Sequence, residues 1–313
     1  MYQNYNSIKS IMYQKIIKNI YDNYNEPVNK YYFYWFKFIL GSLYLWKLLS
    51  RDFSNLAFWP QDVISGYPID IYSHDYLLST GVPILFDLTN FHFIHYFIPY
   101  PTELVFQVLQ NLAIIFSIFF IFSNEKISRY IAIIFYILIS YLWGFVFRLG
   151  QEIDAVFLLQ GSLLIFALLS YSEANTYYKK IRFLTIVVFV IYYFTSGLNK
   201  FIDLSYAQWF EFDLININKS LRLLYINENF LYIPKFPIDS STIQFILNYF
   251  GAFITYVLHI TCPLLLCTNS TKKIFFYWIF YSIFHYLTIY VGILFMMNFF
   301  AWLLILPIYK WIK

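Results

Sequence analysis

Seven apolar stretches, separated by short basic segments and two long polar ones, take up most of this chain. They lie at residues 31–49, 103–122, 130–147, 154–170, 183–199, 242–266 and 274–309. A helix needs about 20 residues to cross an apolar core of roughly 30 Å. The first six stretches are near that length. The last is long enough for two short spans, or for one long helix and a re-entrant piece, with an interior break near Gly292 to Asn298. Charged residues make up 12% of the chain and hydrophobic residues 60%. Soluble domains run at about 25% charged, so a chain this poor in charge cannot coat itself for water. Inside lipid every backbone polar group must be satisfied internally. The expectation is therefore an all-α, polytopic transmembrane helical bundle in contact with the lipid bilayer.

The basic residues set an orientation. Lys9, Lys15, Lys18 and Lys30 precede the first stretch; Lys126 and Arg129, then Lys179, Lys180 and Arg182, then Lys272 and Lys273 fall in alternate connections. Lys310 and Lys313 end the chain. Short cytoplasmic loops carry excess lysine and arginine. Both termini then belong in the cytoplasm, which requires an even number of crossings, eight, with 274–309 counted as two. The expected location is a bacterial inner membrane. Two long connections, 50–102 and 200–241, fall on the outer side and are rich in aromatic residues. Loops longer than about 15 residues are usually functional or disordered. These are expected to hold interfacial helices and to cap an outward-facing site.

Residues 1–30 read as a separate cytoplasmic segment. Ile8, Ile11, Met12, Ile16, Ile17 and Ile20 are taken as one face of an amphipathic surface helix, with the lysines elsewhere. No apolar core or small-residue cleavage site marks a signal peptide there. The net charge of +4 does not suggest a nucleic-acid partner. Cys262 and Cys267 sit in an apolar stretch, without C-x-x-C spacing, and read as small core residues.

Few residues carry chemistry. Lys200 follows Ser196-Gly197-Leu198-Asn199 at the outer end of the fifth stretch. It reads as a snorkelling interfacial lysine, or as a partly desolvated amine able to act as a general base. Arg148, Glu152 and Asp154 surround the turn between the third and fourth stretches, on the same side. They form a structural ion pair or belong to a site, since ionisable groups at membrane depth are functional candidates by default. His285 lies within the last apolar stretch, where it makes an interhelical hydrogen bond or relays protons. His74, His92 and His95 share the first long loop, but no third ligand is set by spacing and no metal site is expected. Lys37 and Lys47, near the two ends of the first stretch, read as snorkelling residues without a role. Phosphate-loop, nucleophile-elbow and H-E-x-x-H patterns are absent from the sequence.

The run from Tyr193 to Trp209 resembles the signature of the HTTM domain, the transmembrane module of the vitamin K-dependent γ-carboxylase family and its bacterial relatives. The matching pattern is Ser196-Gly197-Leu198-Asn199-Lys200 followed by Trp209-Phe210-Glu211. Phe284-His285 with Gly292 and Phe295 is a second match, and Gly81-Val82-Pro83 a weaker third. The resemblance extends over about residues 33–305 and makes 31–313 an HTTM-like transmembrane domain. It implies an exoplasmic site, a reduced quinone such as vitamin K hydroquinone as cofactor, carboxylase (lyase) chemistry, and Lys200 as the base that deprotonates the hydroquinone. Asp154 and His285 join Lys200 as catalytic candidates, with Gly197, Asn199, Trp209, Glu152 and Arg148 at the substrate. The sequence departs from the pattern at Glu152–Phe157, which lacks the expected histidine, and at Phe212, which stands where a glycine is expected. No counterpart of the carboxylase's exoplasmic β-rich domain is expected from this sequence. Two readings follow: a membrane enzyme acting on a quinone or other lipophilic small molecule, and a non-catalytic scaffold or partner subunit. A third, a quinone-linked subunit of the DoxX-like kind, is disfavoured by length.

Overall fold

The computed structural model describes residues 2–26, 28–50, 52–58, 101–148, 153–169, 174–203, 241–268, 270–287, 296–307 and 310. Every described element is helical. Nine α-helices follow in chain order among these residues: α1 (Tyr2–Tyr24), α2 (Lys30–Ser50), α3 (Glu103–Phe122), α4 (Glu125–Arg148), α5 (Ile153–Leu168), α6 (Ala174–Asp203), α7 (Ser241–Phe253), α8 (Thr271–Leu287) and α9 (Met296–Ala301). A 3-10 turn at Phe53–Phe58 follows α2, capped by Asp52, whose carboxylate accepts from the Ser54 amide and hydroxyl. Beyond α7 the chain passes through a π-helical turn, Ile254–His259, and a 3-10 turn, Cys262–Cys267.

α3 shows most plainly what solvent this fold expects. Phe106, Ala113, Ser117 and Phe120 are buried, whereas Val105, Val108, Leu112, Ile115, Ile118, Phe119 and Phe122 are exposed. An apolar helix that turns most of its large side chains outward matches contact with lipid. Three described helices are long and apolar enough to cross a membrane, at Glu103–Phe122, Glu125–Trp143 and Lys180–Leu198. Elsewhere the expected spans are interrupted. α2 carries Lys30, Lys37 and Lys47, α5 is short, α7 changes its hydrogen-bond pattern partway, and α9 has six residues.

Side-chain hydrogen bonds collect helix ends at one end of the bundle. Lys37 donates to the carbonyl and hydroxyl of Ser123, between α3 and α4. Arg129, in the second turn of α4, donates to Ala167 O near the end of α5. Tyr32 and Trp35, early in α2, donate to Leu304 O and Leu303 O. Arg182 of α6 pairs with Glu26 at 2.9 Å, and Glu26 also meets Lys310 at 2.5 Å. At the other end Gln110 of α3 holds Leu48 O and the Phe53 amide.

Several expectations are corrected here. Lys37 is fully buried; it does not snorkel but occupies the end of α3, where helix carbonyls otherwise go unpaired. The connections are shorter than the basic runs suggested. α4 begins at Glu125, α6 at Ala174 and α8 at Thr271, so the basic residues sit in helical turns, and Arg182 is 1% exposed. The reason is that lysine and arginine suit helix interiors as well as loops, so polarity alone does not end a helix. Residues 11–18 of α1 are all exposed, so its apolar face does not pack on the bundle. Nearly all of both long loops lies outside the described residues, and so does the expectation of interfacial helices in them.

Candidate functional site

α6 brings two aromatic residues and a glycine to the centre of the bundle. Two of its threonines are satisfied within the helix: Thr185 donates to Ile181 O, and Thr195 to Ile191 O. Gly197 lies inside α6, not at its end, because the helix runs on to Asp203. The expectation of a glycine-marked helix end is thereby corrected. The glycine serves a close approach instead. A Cβ at this position would lie 2.1 Å from His259 Cβ and 3.3 Å from His259 Cα. His259 closes the π-turn, a one-turn irregularity that re-aims the residues following it.

One turn before Gly197, Tyr193 is 1% exposed. Its hydroxyl accepts from Trp302 Nε1 at 3.0 Å and pairs with His285 Nε2 at 3.1 Å. The hydroxyl donates to Nε2 or accepts from it according to the histidine tautomer. Around Tyr193 the rings close: Tyr281 at 4.2 Å, Trp302 at 5.4 Å and His259 at 5.8 Å between centroids. Tyr281 stacks on Trp302 at 5.3 Å and has His259 at 5.2 Å. Asn298 donates to Tyr192 OH at 3.5 Å. Four elements therefore meet here: α6, the π-turn, α8 with Tyr281 and His285, and α9 with Asn298 and the adjoining Trp302. Among the described residues of this cluster there are imidazoles, phenols, an indole and a carboxamide, but no carboxylate or ammonium group. Such a set presents flat faces and neutral donors and acceptors. It suits an uncharged aromatic group, or simply a well-packed polar core.

Of the residues singled out from sequence, Gly197 and His285 come together here, joined through Tyr193 and His259. Lys200 and Asn199 are helical in α6, but their side chains lie outside the described residues, as do those of Arg148 at the end of α4 and Asp154 in the first turn of α5. Glu152, Trp209, His74, His92, His95 and Gly81-Val82-Pro83 lie outside them altogether. By helical register Lys200, seven residues past Tyr193, returns to nearly the same side of α6 about two turns further on. Sequence reasoning passed over His259, Tyr281, Trp302 and Asn298. His259 had a signal, being the other histidine within an apolar stretch. The aromatic residues had none, because tyrosine and phenylalanine occur throughout the chain. No group of three or more histidine, cysteine or acidic residues is placed to hold a metal among the described residues. Both cysteines are free thiols. No family model, no curated protein and no solved structure matches this chain.

Proposed function

We propose that this chain is a multi-pass protein of a bacterial inner membrane, with eight spans, both termini cytoplasmic and residues 50–102 and 200–241 outside. In this reading it is an HTTM-like membrane enzyme that takes a quinone or another lipophilic substrate at an exoplasmic pocket, with Lys200 as the base. The observation that carries the reading is the arrangement on α6. Tyr193 meets two imidazoles inside the bundle, Gly197 admits one of them to the helix backbone, and Lys200 follows on that side by register. The site then has a neutral aromatic interior and an amine where the bundle opens to water.

Each residue has a part. The Lys200 amine, neutral through partial desolvation, accepts a proton from an acidic hydroxyl of the substrate and becomes an ammonium. Asp154 balances that charge, while Glu152 and Arg148 at the neighbouring turn contact the substrate. His285, hydrogen-bonded to Tyr193, passes protons within the bundle. Asn199 and Trp209 hold the substrate near the surface. A reduced quinone would supply the acidic hydroxyl when bound, and the phenols and imidazoles around Tyr193 are chemically suited to a neutral ring.

The scaffold reading has its own support, since Tyr193 already has hydrogen-bond partners within the protein and the rings pack as a core does. Purified protein, extracted with organic solvent and analysed for quinones, separates the two. Co-purified quinone that is lost in Lys200→Ala, with unchanged expression and thermal stability, is the expected result. Lys200→Arg should lose proton-accepting activity as well, because a guanidinium stays protonated. Retained function in Lys200→Arg would reduce the residue to a positive anchor.

A further inference from the structure

We infer that α1 is an arm that docks on an anionic lipid surface at the end of the bundle where Glu26 and Lys310 meet. The inference does not depend on the reading of the Lys200 site. Over its second half α1 repeats large apolar and aromatic residues in pairs four apart: Met12 and Tyr13, Ile16 and Ile17, Ile20 and Tyr21, then Tyr24. At 3.6 residues per turn these fall on about half of the helix circumference. Lys15, Lys18 and Asp22 fall on the other half, together with Ile11, which the sequence reading had placed on the apolar face. The stripe is not covered by the protein. Met12 is 59% exposed, Tyr13 65%, Ile17 48% and Tyr21 66%.

The last turn, by contrast, is fastened. Asn23 donates to Leu266 O at 2.9 Å and Leu265 O at 3.3 Å, and accepts from Arg182 at 3.0 Å. Tyr24, the final member of the stripe, meets the Phe183 ring edge-on at 5.3 Å. Buried attachments thus fix the root of the arm, and the apolar stripe continues from a ring packed on α6 into open surroundings.

Charge selects the occupant. The same end of the bundle carries exposed Lys126 in the first turn of α4, exposed Lys272 and Lys273 in the first turn of α8, and Lys310 at the C-terminal end, besides Lys15 and Lys18 of the arm. An apolar stripe with lysines on the opposite half of the helix, held beside a basic face, fits acyl chains below and anionic headgroups above it. A second copy of the chain would bring the same basic groups against each other.

The test uses the full chain in nanodiscs, in a Cys262→Ser, Cys267→Ser background whose thermal unfolding is first checked against the original protein. An environment-sensitive fluorophore is placed by Ile17→Cys or, on the opposite side, by Lys15→Cys. With phosphatidylglycerol mixed into phosphatidylcholine, the label at 17 should shift to an apolar spectrum while the label at 15 remains water-like. In phosphatidylcholine alone the label at 17 should shift much less. Lys15→Gln and Lys18→Gln should each lower the docked-to-undocked ratio about fivefold, and added salt should act in the same direction. A water-like label at 17 in both lipids overturns the proposal. An equal shift in both removes the anionic partner, and a shift that vanishes on dilution of the protein assigns the stripe to a second copy.

Discussion

Gly197 has no side chain, and His259 fills the space where one would be. The atom nearest to an added methyl is the Cβ of His259 at 2.1 Å, with its Cα at 3.3 Å, and neither can rotate away as a side-chain tip could. At Gly161 the nearest atom is a Val188 methyl carbon at 2.9 Å, which a rotamer change can move. Overpacking of a filled interior costs about 1–3 kcal/mol. Gly197→Ala should therefore lower the thermal unfolding temperature in detergent clearly more than Gly161→Ala does. Equal effects would mean that the π-turn slides along α6 freely, and that His259 is not held against Gly197. Tyr193 belongs to the same scale. Its hydroxyl joins an indole and an imidazole from two other helical segments, so a single oxygen ties three parts of the chain together.

At the scale of elements, α7 and the turns beyond it are the irregular part of the bundle. The path from Ser241 to Cys267 changes from α to π to 3-10 geometry, with Pro263 in the last turn. Proline lacks an amide hydrogen and obstructs a regular helix, and a helix end leaves carbonyls without partners. Asn23 of α1 donates to two carbonyls there, Leu266 O and Leu265 O, the second of which also accepts from the Thr268 amide. Asn23→Leu should remove both bonds and one partner of Arg182, at a cost of about 1–3 kcal/mol for each buried group left unpaired. Hydrogen exchange of the 262–268 amides is the local readout. It should rise in Asn23→Leu while the amides of α3 stay protected. Unchanged exchange at 262–268 would show that α1 does not support that turn.

On the scale of the whole molecule, the Glu26 pairs bring the two ends of the chain to one end of the bundle. Glu26 meets Arg182 and Lys310, and two of these three are almost fully buried. In the proposed topology the chain between residues 26 and 310, which meet at one end of the bundle, crosses the membrane an even number of times. Reporter fusions after residues 126 and 273 and at the C-terminus should all read cytoplasmic, and one after residue 225 exoplasmic. A C-terminal reporter outside the cell would leave an odd number of spans and would set the Glu26–Lys310 pair in conflict with the membrane.

Helix placement was largely legible in the sequence, for a physical reason. Apolar runs of membrane length, such as 103–122, report directly on the solvent, and lipid leaves the backbone little choice but helix. Helix ends were less legible, since the turns carrying Lys126, Arg182 and Lys272 are helical despite their charge. The companions of His285 were not legible at all. Tyr193, His259, Tyr281 and Trp302 are separated by up to 109 residues of chain and meet only because α6, the π-turn, α8 and the segment after α9 pack together. In a sequence where tyrosine and phenylalanine are everywhere, composition cannot tell a lipid-facing ring such as Tyr286 from a buried one such as Tyr281. Only the tertiary packing decides that, because it alone sets which side of a helix looks inward.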